Sequence, residues 1–111
     1  MEYNTKILIA DENAGERQIL REALSHAGWR FVDEAANGEE ALAKLTANHY
    51  DAALVDMMLT RLDGIGVLRS YKATLKQGDT APVLLVISPI ANQTMIAEAV
   101  AAGAEVYTTE E

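Results

Sequence analysis

Three carboxylates stand where two short apolar segments of the chain end. Asp11 and Glu12 follow segment 7–10, and Asp56 follows segment 52–55. Each segment has the length and composition of a strand that is buried on both faces of a parallel sheet. Open α/β sheets bind ligands above the carboxyl ends of their strands. Because carboxylates this close resist ionising together without a cation, the pattern predicts a Mg²⁺ site beside a reactive aspartate.

A structural role is the alternative interpretation of these acids. Aspartate is a common turn and capping residue where strands end. For Asp11 taken alone, its position after a strand does not separate a turn residue from a metal ligand. The functional interpretation therefore depends on all three carboxylates converging.

The composition of the chain restricts the classes of function it can have. It has 111 residues, half of them apolar, which suits one domain with a real core. The net charge of −8 argues against direct binding of nucleic acid, which needs a basic face. There is no cysteine for disulfide or thiolate chemistry. No apolar segment has the length of a membrane span, and the first residues do not resemble a signal peptide, so we expect a cytoplasmic protein.

Strand and helix patterns alternate along the whole chain. The apolar patterns predict five strands, at residues 6–10, 29–35, 51–56, 83–87 and 105–108. Four apolar stripes at helical spacing separate these strands, and two of the helices begin with an asparagine followed three residues later by a glutamate, a capping signature. The alternation predicts an α/β fold with a parallel sheet, right-handed crossovers and helices on both faces.

The predicted sheet lacks a cover at one edge. Such a sheet usually ends with a helix after its last strand, and this last helix is missing because the sequence stops at Glu111. We expect either that the chain is a fragment of a longer protein or that a partner supplies the cover, because proteins avoid exposed strand edges. Self-association as a homodimer is one way to meet this need.

Several motifs, in this order along the chain, resemble the receiver domain of response regulators, in the CheY-like superfamily. They are the acidic pair 11–12, Asp56, the Leu-Asp-Gly segment 62–64, Ser88, and the Ala-Gly-Ala-Glu segment 102–105 followed by Tyr107. The resemblance covers residues 1–111 as a single receiver domain. Segment 61–68 adds a weaker likeness to the receiver half of the sporulation-initiation regulator.

This resemblance implies a fold and a function. The fold is the flavodoxin-like doubly wound sheet with strand order 2-1-3-4-5. The function is signal transduction in a two-component system: Asp56 accepts a phosphoryl group from a sensor histidine kinase or a phosphotransfer protein. The phosphorylated domain then switches an effector, such as an output domain outside this chain. The domain is not an enzyme beyond its own phosphoryl transfer and hydrolysis.

The resemblance also implies roles for particular residues. Mg²⁺ is held by Glu12, Asp56 and the backbone carbonyl of Met58, while Asp11 reaches the ion through water. Two further residues respond to the phosphoryl group: the Ser88 hydroxyl contacts it, and Tyr107 turns inward as the switch.

Glu110 departs from the family pattern, which has a lysine there. At about 5 Å and an effective dielectric constant near 20, one pair of unit charges is worth about 3 kcal/mol. A carboxylate at this position repels the phosphoryl group that a lysine attracts. The alternative function is therefore a degenerate receiver that acts as a phosphorylation-independent protein-interaction module.

An enzymatic interpretation fits the sequence less well. Aspartate-nucleophile phosphohydrolases carry an Asp-x-Asp-x-Thr motif after the first strand. Segment 56–60 has the first aspartate and the threonine but lacks the second aspartate, and it follows the third strand. The receiver interpretation accounts for more of the chain.

Overall fold

Five strands and three helices make up the part of the chain that the computed structural model describes, residues 5–88, 97, 100, 101 and 105–108. In chain order they are β1 (Lys6–Ala10), α1 (Ala14–His26), β2 (Phe31–Ala35), α2 (Gly38–Ala47), β3 (Ala52–Asp56), α3 (Gly64–Thr74), β4 (Val83–Ser88) and β5 (Glu105–Thr108). The predicted fourth helix falls mostly outside the described residues, although residues 97, 100 and 101 are helical. The elements otherwise follow the predicted alternation.

The strands form one parallel sheet with the order β2-β1-β3-β4-β5. This confirms the flavodoxin-like topology that the sequence predicted. Ala10 pairs with Ala35 on one side and with Val55 on the other, while Asp56 pairs with Ile87. Because parallel strands run in one direction, the residues that follow β1 and β3 meet at the same edge of the sheet.

Helices cover both faces of the sheet, as predicted. On one face, Leu8 belongs to a fully buried cluster with residues of α2 and α3. On the other face, Ile7 and Ile9 pack against Leu20 and Leu24 of α1. Alternate residues of β1 therefore serve two cores, which explains why this strand reads as a continuous apolar segment.

The second strand begins two residues later than predicted. The sequence placed Trp29 in the strand, but its N–H donates to the Leu24 carbonyl at 2.9 Å and so ends α1. Gly28, with φ of 97°, donates in the same way to Ser25, and the two hydrogen bonds form a Schellman motif. The glycine thus acts as a helix stop, and the strand starts at Phe31 once both N–H groups are used.

Both predicted helix caps are confirmed. The Asn13 side chain accepts a hydrogen bond from the Glu16 N–H at 3.0 Å, and Asn37 accepts from the Glu40 N–H at 2.9 Å. Such a cap stabilises a helix by about 1 kcal/mol. None of the helices in the described part of the chain has the length and apolar character that a bilayer crossing requires.

A close backbone contact joins the start of α2 to the loop after β3. The Gly38 N–H donates to the Thr60 carbonyl at 3.0 Å. A Cβ atom at position 38 would lie 1.7 Å from the Leu62 carbonyl oxygen, which is backbone and cannot turn away. Only glycine allows this approach, and the contact helps to fix the loop that follows Asp56.

The close contact predicts that Gly38→Ala destabilises the fold. The added methyl group forces the two backbones apart, and overpacking of this kind costs about 1–3 kcal/mol. Denaturant unfolding measures the loss as a change in the free energy of unfolding.

Gly15→Ala is the matched control, since Gly15 also lies in the first turn of a helix. Its added Cβ would meet only the Asn13 side-chain oxygen, at 3.1 Å. We expect a change within about 1 kcal/mol. Equal losses in the two variants would contradict the proposed backbone contact.

Candidate functional site

The ends of β1 and β3 bring carboxylates together. One oxygen from each of Asp11, Glu16 and Asp56 lies within 4.8 Å of the other two. Asp11 is only 7 % exposed, Asp56 is half-buried, and Glu16 is exposed at the start of α1. We call these three residues the carboxylate cluster. The predicted meeting of Asp11 with Asp56 is thus present in the structure.

Backbone N–H groups orient both aspartate carboxylates. Asp11 Oδ1 accepts a hydrogen bond from the Asn13 N–H at 2.8 Å. Asp56 Oδ1 accepts from the Met58 N–H at 2.9 Å. Each aspartate therefore closes a turn with the residue two positions on, a common arrangement for aspartate. The turn role considered for Asp11 and its place in the cluster are compatible.

Glu16 was not among the residues that the sequence singled out for the site, whereas Glu12 was. Glu12 is exposed, and it is not in the carboxylate cluster. A glutamate at the position of Glu16 usually reaches back to the N–H of the capping residue. Here the Asn13 N–H donates to Asp11 instead. The Glu16 side chain is therefore left to approach Asp11. Its capping-box spacing from Asn13 was the feature of the sequence from which a place near the site could have been inferred.

Burial, together with repulsion within the site, raises the pKa of Asp56. Burial is the main cause, and the negative charges of Asp11 and Glu12 add to it. The hydrogen bond from the Met58 N–H acts in the opposite direction. Glu12 thus acts on Asp56 through its charge even though it lies outside the cluster.

The pKa of Glu16 is also raised. The main cause is its side-chain hydrogen bond with Asp11, followed by the charge of Asp11. Burial and the charge of Asp56 contribute less. The close approach of Glu16 to Asp11 therefore makes ionisation of Glu16 less favourable.

A hard divalent cation suits this set of atoms. Carboxylate oxygens are the ligands that Mg²⁺ and Ca²⁺ prefer, and three of them converge here, two from the segment after β1 and one from the end of β3. A cation held here would relieve the repulsion among these carboxylates. The donor set therefore fits the ion that the sequence predicted.

An open cavity of about 420 Å³ borders the carboxylate cluster. Its other lining residues are apolar: Ile19 and Leu20 of α1, Met58 of the loop after β3, and Ile87 of β4. Ile19 and Met58 are more than half exposed. The cluster is thus reachable from solvent along an apolar wall.

The remaining predicted site residues are described only in part. The Met58 N–H contacts Asp56, and its side chain is exposed. Ser88 pairs with Thr108, and Ile87 with Tyr107, which places these backbones at the carboxyl ends of β4 and β5. The side chains of Ser88 and Tyr107, and the whole of Glu110, lie outside what the structure describes.

Comparisons with known proteins agree with the geometry. Residues 7–109 match the family model of the response regulator receiver domain. The response regulator MprA of Mycobacterium sp. (strain KMS) is 39 % identical over 80 residues, which are 72 % of this chain and 33 % of that protein. The transcriptional regulatory protein ResD of Bacillus subtilis (strain 168) is 43 % identical over 68 residues, 61 % of this chain and 28 % of that protein. The chain thus spans about a third of the length of these relatives or less.

A solved structure shows the same fold. A two-component response regulator from Clostridium difficile superimposes with a TM-score of 0.82 at 26 % identity, covering 97 % of this chain and 84 % of that chain. The strand order, the carboxylates at the strand ends and the family match lead to one conclusion. The chain belongs to the response regulator receiver domain family, the receiver module of two-component signal transduction systems.

Proposed function

We propose that Asp56 accepts a phosphoryl group from a histidine kinase or a phosphotransfer protein, with Mg²⁺ bound beside it. The observation that carries this proposal is the carboxylate cluster at the carboxyl ends of β1 and β3. Of the two aspartates, Asp56 is the more exposed, and it lines the cavity that a donor can enter.

The chemistry is a displacement at phosphorus. An Asp56 carboxylate oxygen forms a bond to the phosphorus atom of a phosphohistidine as the phosphorus–nitrogen bond breaks. The electron pair of the broken bond returns to the imidazole, which takes up a proton from water. The product is an acyl phosphate on Asp56, which water later hydrolyses. The hydrogen bond from the Met58 N–H holds the carboxylate in place for this step.

The residues that hold Mg²⁺ in this proposal are Asp11, Glu12, Asp56 and the Met58 carbonyl. Glu16 joins them as a candidate donor because its oxygen lies in the carboxylate cluster. When bound, the ion neutralises charge on the phosphoryl oxygens. The protein contributes the fixed orientation of Asp11 and Asp56 through their backbone hydrogen bonds.

The proposed output is a switch in the interactions of the domain. Ser88 contacts the phosphoryl group, and Tyr107 changes its orientation in response. The domain thus has two conformations, and phosphorylation shifts the population toward one of them. The relative ResD is named as a transcriptional regulatory protein. We propose an effector outside residues 1–111, cytoplasmic signalling with a histidine kinase as partner, and self-association as a homodimer as one form of output.

A second candidate function is a phosphorylation-independent interaction module. Glu110 favours it, because the family has a lysine at this position and a carboxylate repels a phosphoryl dianion. Binding to a partner would then be the same whether or not Asp56 can be modified. The following two predictions separate the candidates.

Incubation with acetyl phosphate and Mg²⁺ is predicted to add one phosphoryl group to the chain. Intact-protein mass spectrometry measures the addition. Asp56→Asn should abolish it, because an amide oxygen is a poor nucleophile. Asp63→Asn, an equally conservative change at the N-cap of α3, should leave it intact. A parent chain that gains no mass would favour the interaction module, and an Asp56→Asn chain that still gains mass would contradict the role of Asp56.

Glu110→Lys is predicted to speed this labelling about tenfold, equal to about 1.4 kcal/mol of barrier. The charge pair is worth about 3 kcal/mol for rigid groups, and solvent screening reduces the effect. Glu111→Lys changes the net charge equally and is the matched control. Equal rates in the two variants would show that only net charge matters.

Asp56→Asn is predicted to raise the free energy of unfolding in metal-free buffer, by an amount that depends on pH. The folded state raises the pKa of Asp56 above its ordinary value of 3.8, chiefly through burial. The folded state therefore binds this proton more tightly than the unfolded state, and ionisation costs stability. The free energy of unfolding of the variant should exceed that of the wild type by an amount that grows as the pH rises from 3.8 through the raised pKa of Asp56. Above that pKa the difference should level off. Urea unfolding at a series of pH values measures it.

Asp63→Asn serves as the control for this measurement too. Asp63 also accepts a backbone N–H, from Gly66 at 2.7 Å, but it is not in the carboxylate cluster. Its variant shows how the loss of an aspartate bonded to a backbone N–H outside the cluster affects stability. An Asp56→Asn curve parallel to the wild type at all pH values would contradict the raised pKa of Asp56.

A further inference from the structure

We propose that Arg17 is a positioning residue for the cation site, which fixes the backbone of Asp11 against β2. The inference rests on the proposed function, since it concerns the ion held beside Asp56. Arg17 belongs to α1. Its role is exerted through Asp11.

Arg17 bridges two parts of the chain. Its Nη1 donates to the backbone carbonyl of Asp11 at 2.5 Å. Its Nε donates to the Glu34 carboxylate at 3.0 Å. The Arg17 side chain is only 16 % exposed, so water competes weakly for these bonds. A planar guanidinium can hold both acceptors at once in a fixed geometry.

Glu34 is a firm anchor for this bridge. It lies in β2 opposite Ile9 of β1, one residue pair before the strand ends. Its second carboxylate oxygen accepts from Arg21 at 2.6 Å, and its backbone carbonyl accepts from Lys44 of α2. Arg21, and then Arg17, lower the pKa of Glu34 against the opposing effect of burial. The anchor is therefore charged and held from two helices.

The bridge completes the fixation of Asp11. The Asp11 N–H donates to the Ala35 carbonyl at 3.1 Å, and its carboxylate accepts from the Asn13 N–H. The Arg17 contact holds the remaining backbone group, the carbonyl that joins Asp11 to Glu12. Without it, this peptide can rotate, and rotation moves the two acidic side chains on either side of it. Mg²⁺ tolerates such displacement poorly because it requires near-octahedral geometry.

A purely electrostatic role of Arg17 makes the opposite prediction. A positive charge close to a cation site weakens cation binding, so its removal should strengthen Mg²⁺ binding. A positioning role predicts that removal weakens binding. The direction of the change therefore separates the two.

A purely structural role is tested by Arg21. Both arginines join α1 to Glu34, and Arg17 in addition donates to the Asp11 backbone. The Arg21 side chain is half exposed. Arg21→Lys is therefore the matched control for Arg17→Lys, with the same chemistry and the same net charge.

Calorimetric titration of each purified chain with MgCl₂ tests the proposal. We expect Arg17→Lys to bind Mg²⁺ about tenfold more weakly than the wild type, the size typical of a residue that orients a ligand. Arg21→Lys should bind within about twofold of the wild type, which is ordinary for a surface ion pair. Arg17→Met should also bind more weakly, although it removes a positive charge. Thermal unfolding without metal confirms that the chains are folded at the titration temperature.

Several results would overturn the proposal. Equal Mg²⁺ affinities of Arg17→Lys and Arg21→Lys would reduce Arg17 to a structural link. Stronger binding by Arg17→Met would assign it a purely electrostatic effect. A wild-type chain that binds no Mg²⁺ would remove the proposed cation site and this inference together, whereas the first two results would leave the cation site intact.

Discussion

Repulsion between carboxylates at the ends of two parallel strands is the constraint on which the site depends. The oxygens of Asp11, Glu16 and Asp56 lie within 4.8 Å of one another. In the absence of a cation, backbone hydrogen bonds to the two aspartates offset part of this cost. Burial, with a smaller contribution from the remaining repulsion, raises the pKa of Asp56. A divalent ion bound here would relieve that repulsion and would link metal binding to stability.

The rest of the fold serves to bring these acids together and to hold the loop that follows Asp56. The register of β1, β2 and β3 sets the strand ends level with one another. Glycines allow the loop after β3 to lie against α2 and α3: a Cβ on Gly38 would meet the Leu62 carbonyl, and one on Gly64 would lie 2.6 Å from the Asp56 carbonyl. The carboxylate of Asp56 is therefore positioned by backbone packing as well as by its own hydrogen bond.

The topology was predictable from the sequence because each local signal agreed with the others. The apolar segments had the length of strands, and the asparagine caps marked the starts of helices. Their alternation predicted a parallel sheet, and the resemblance to receiver domains supplied its strand order. The errors arose where two groups compete for one hydrogen bond. Trp29 gave its N–H to the end of α1 rather than to a strand, and Asn13 gave its N–H to Asp11, which left Glu16 for the cluster. The bridge from Arg17 to Glu34 depends on strand register, which residue patterns do not specify. The roles of Ser88, Tyr107 and Glu110 stay predictions.

The central claim is that side chains from β1 and β3 form a single cation pocket, and anomalous diffraction from a crystal grown with Mn²⁺ tests it most directly. Mn²⁺ accepts the same oxygen ligands as Mg²⁺ and can be located by its anomalous signal. The account predicts one strong peak about 2.2 Å from an Asp56 oxygen, with Asp11 bound directly or through one water. A strong peak elsewhere with none between these two aspartates, at a Mn²⁺ concentration that saturates the chain, would contradict it.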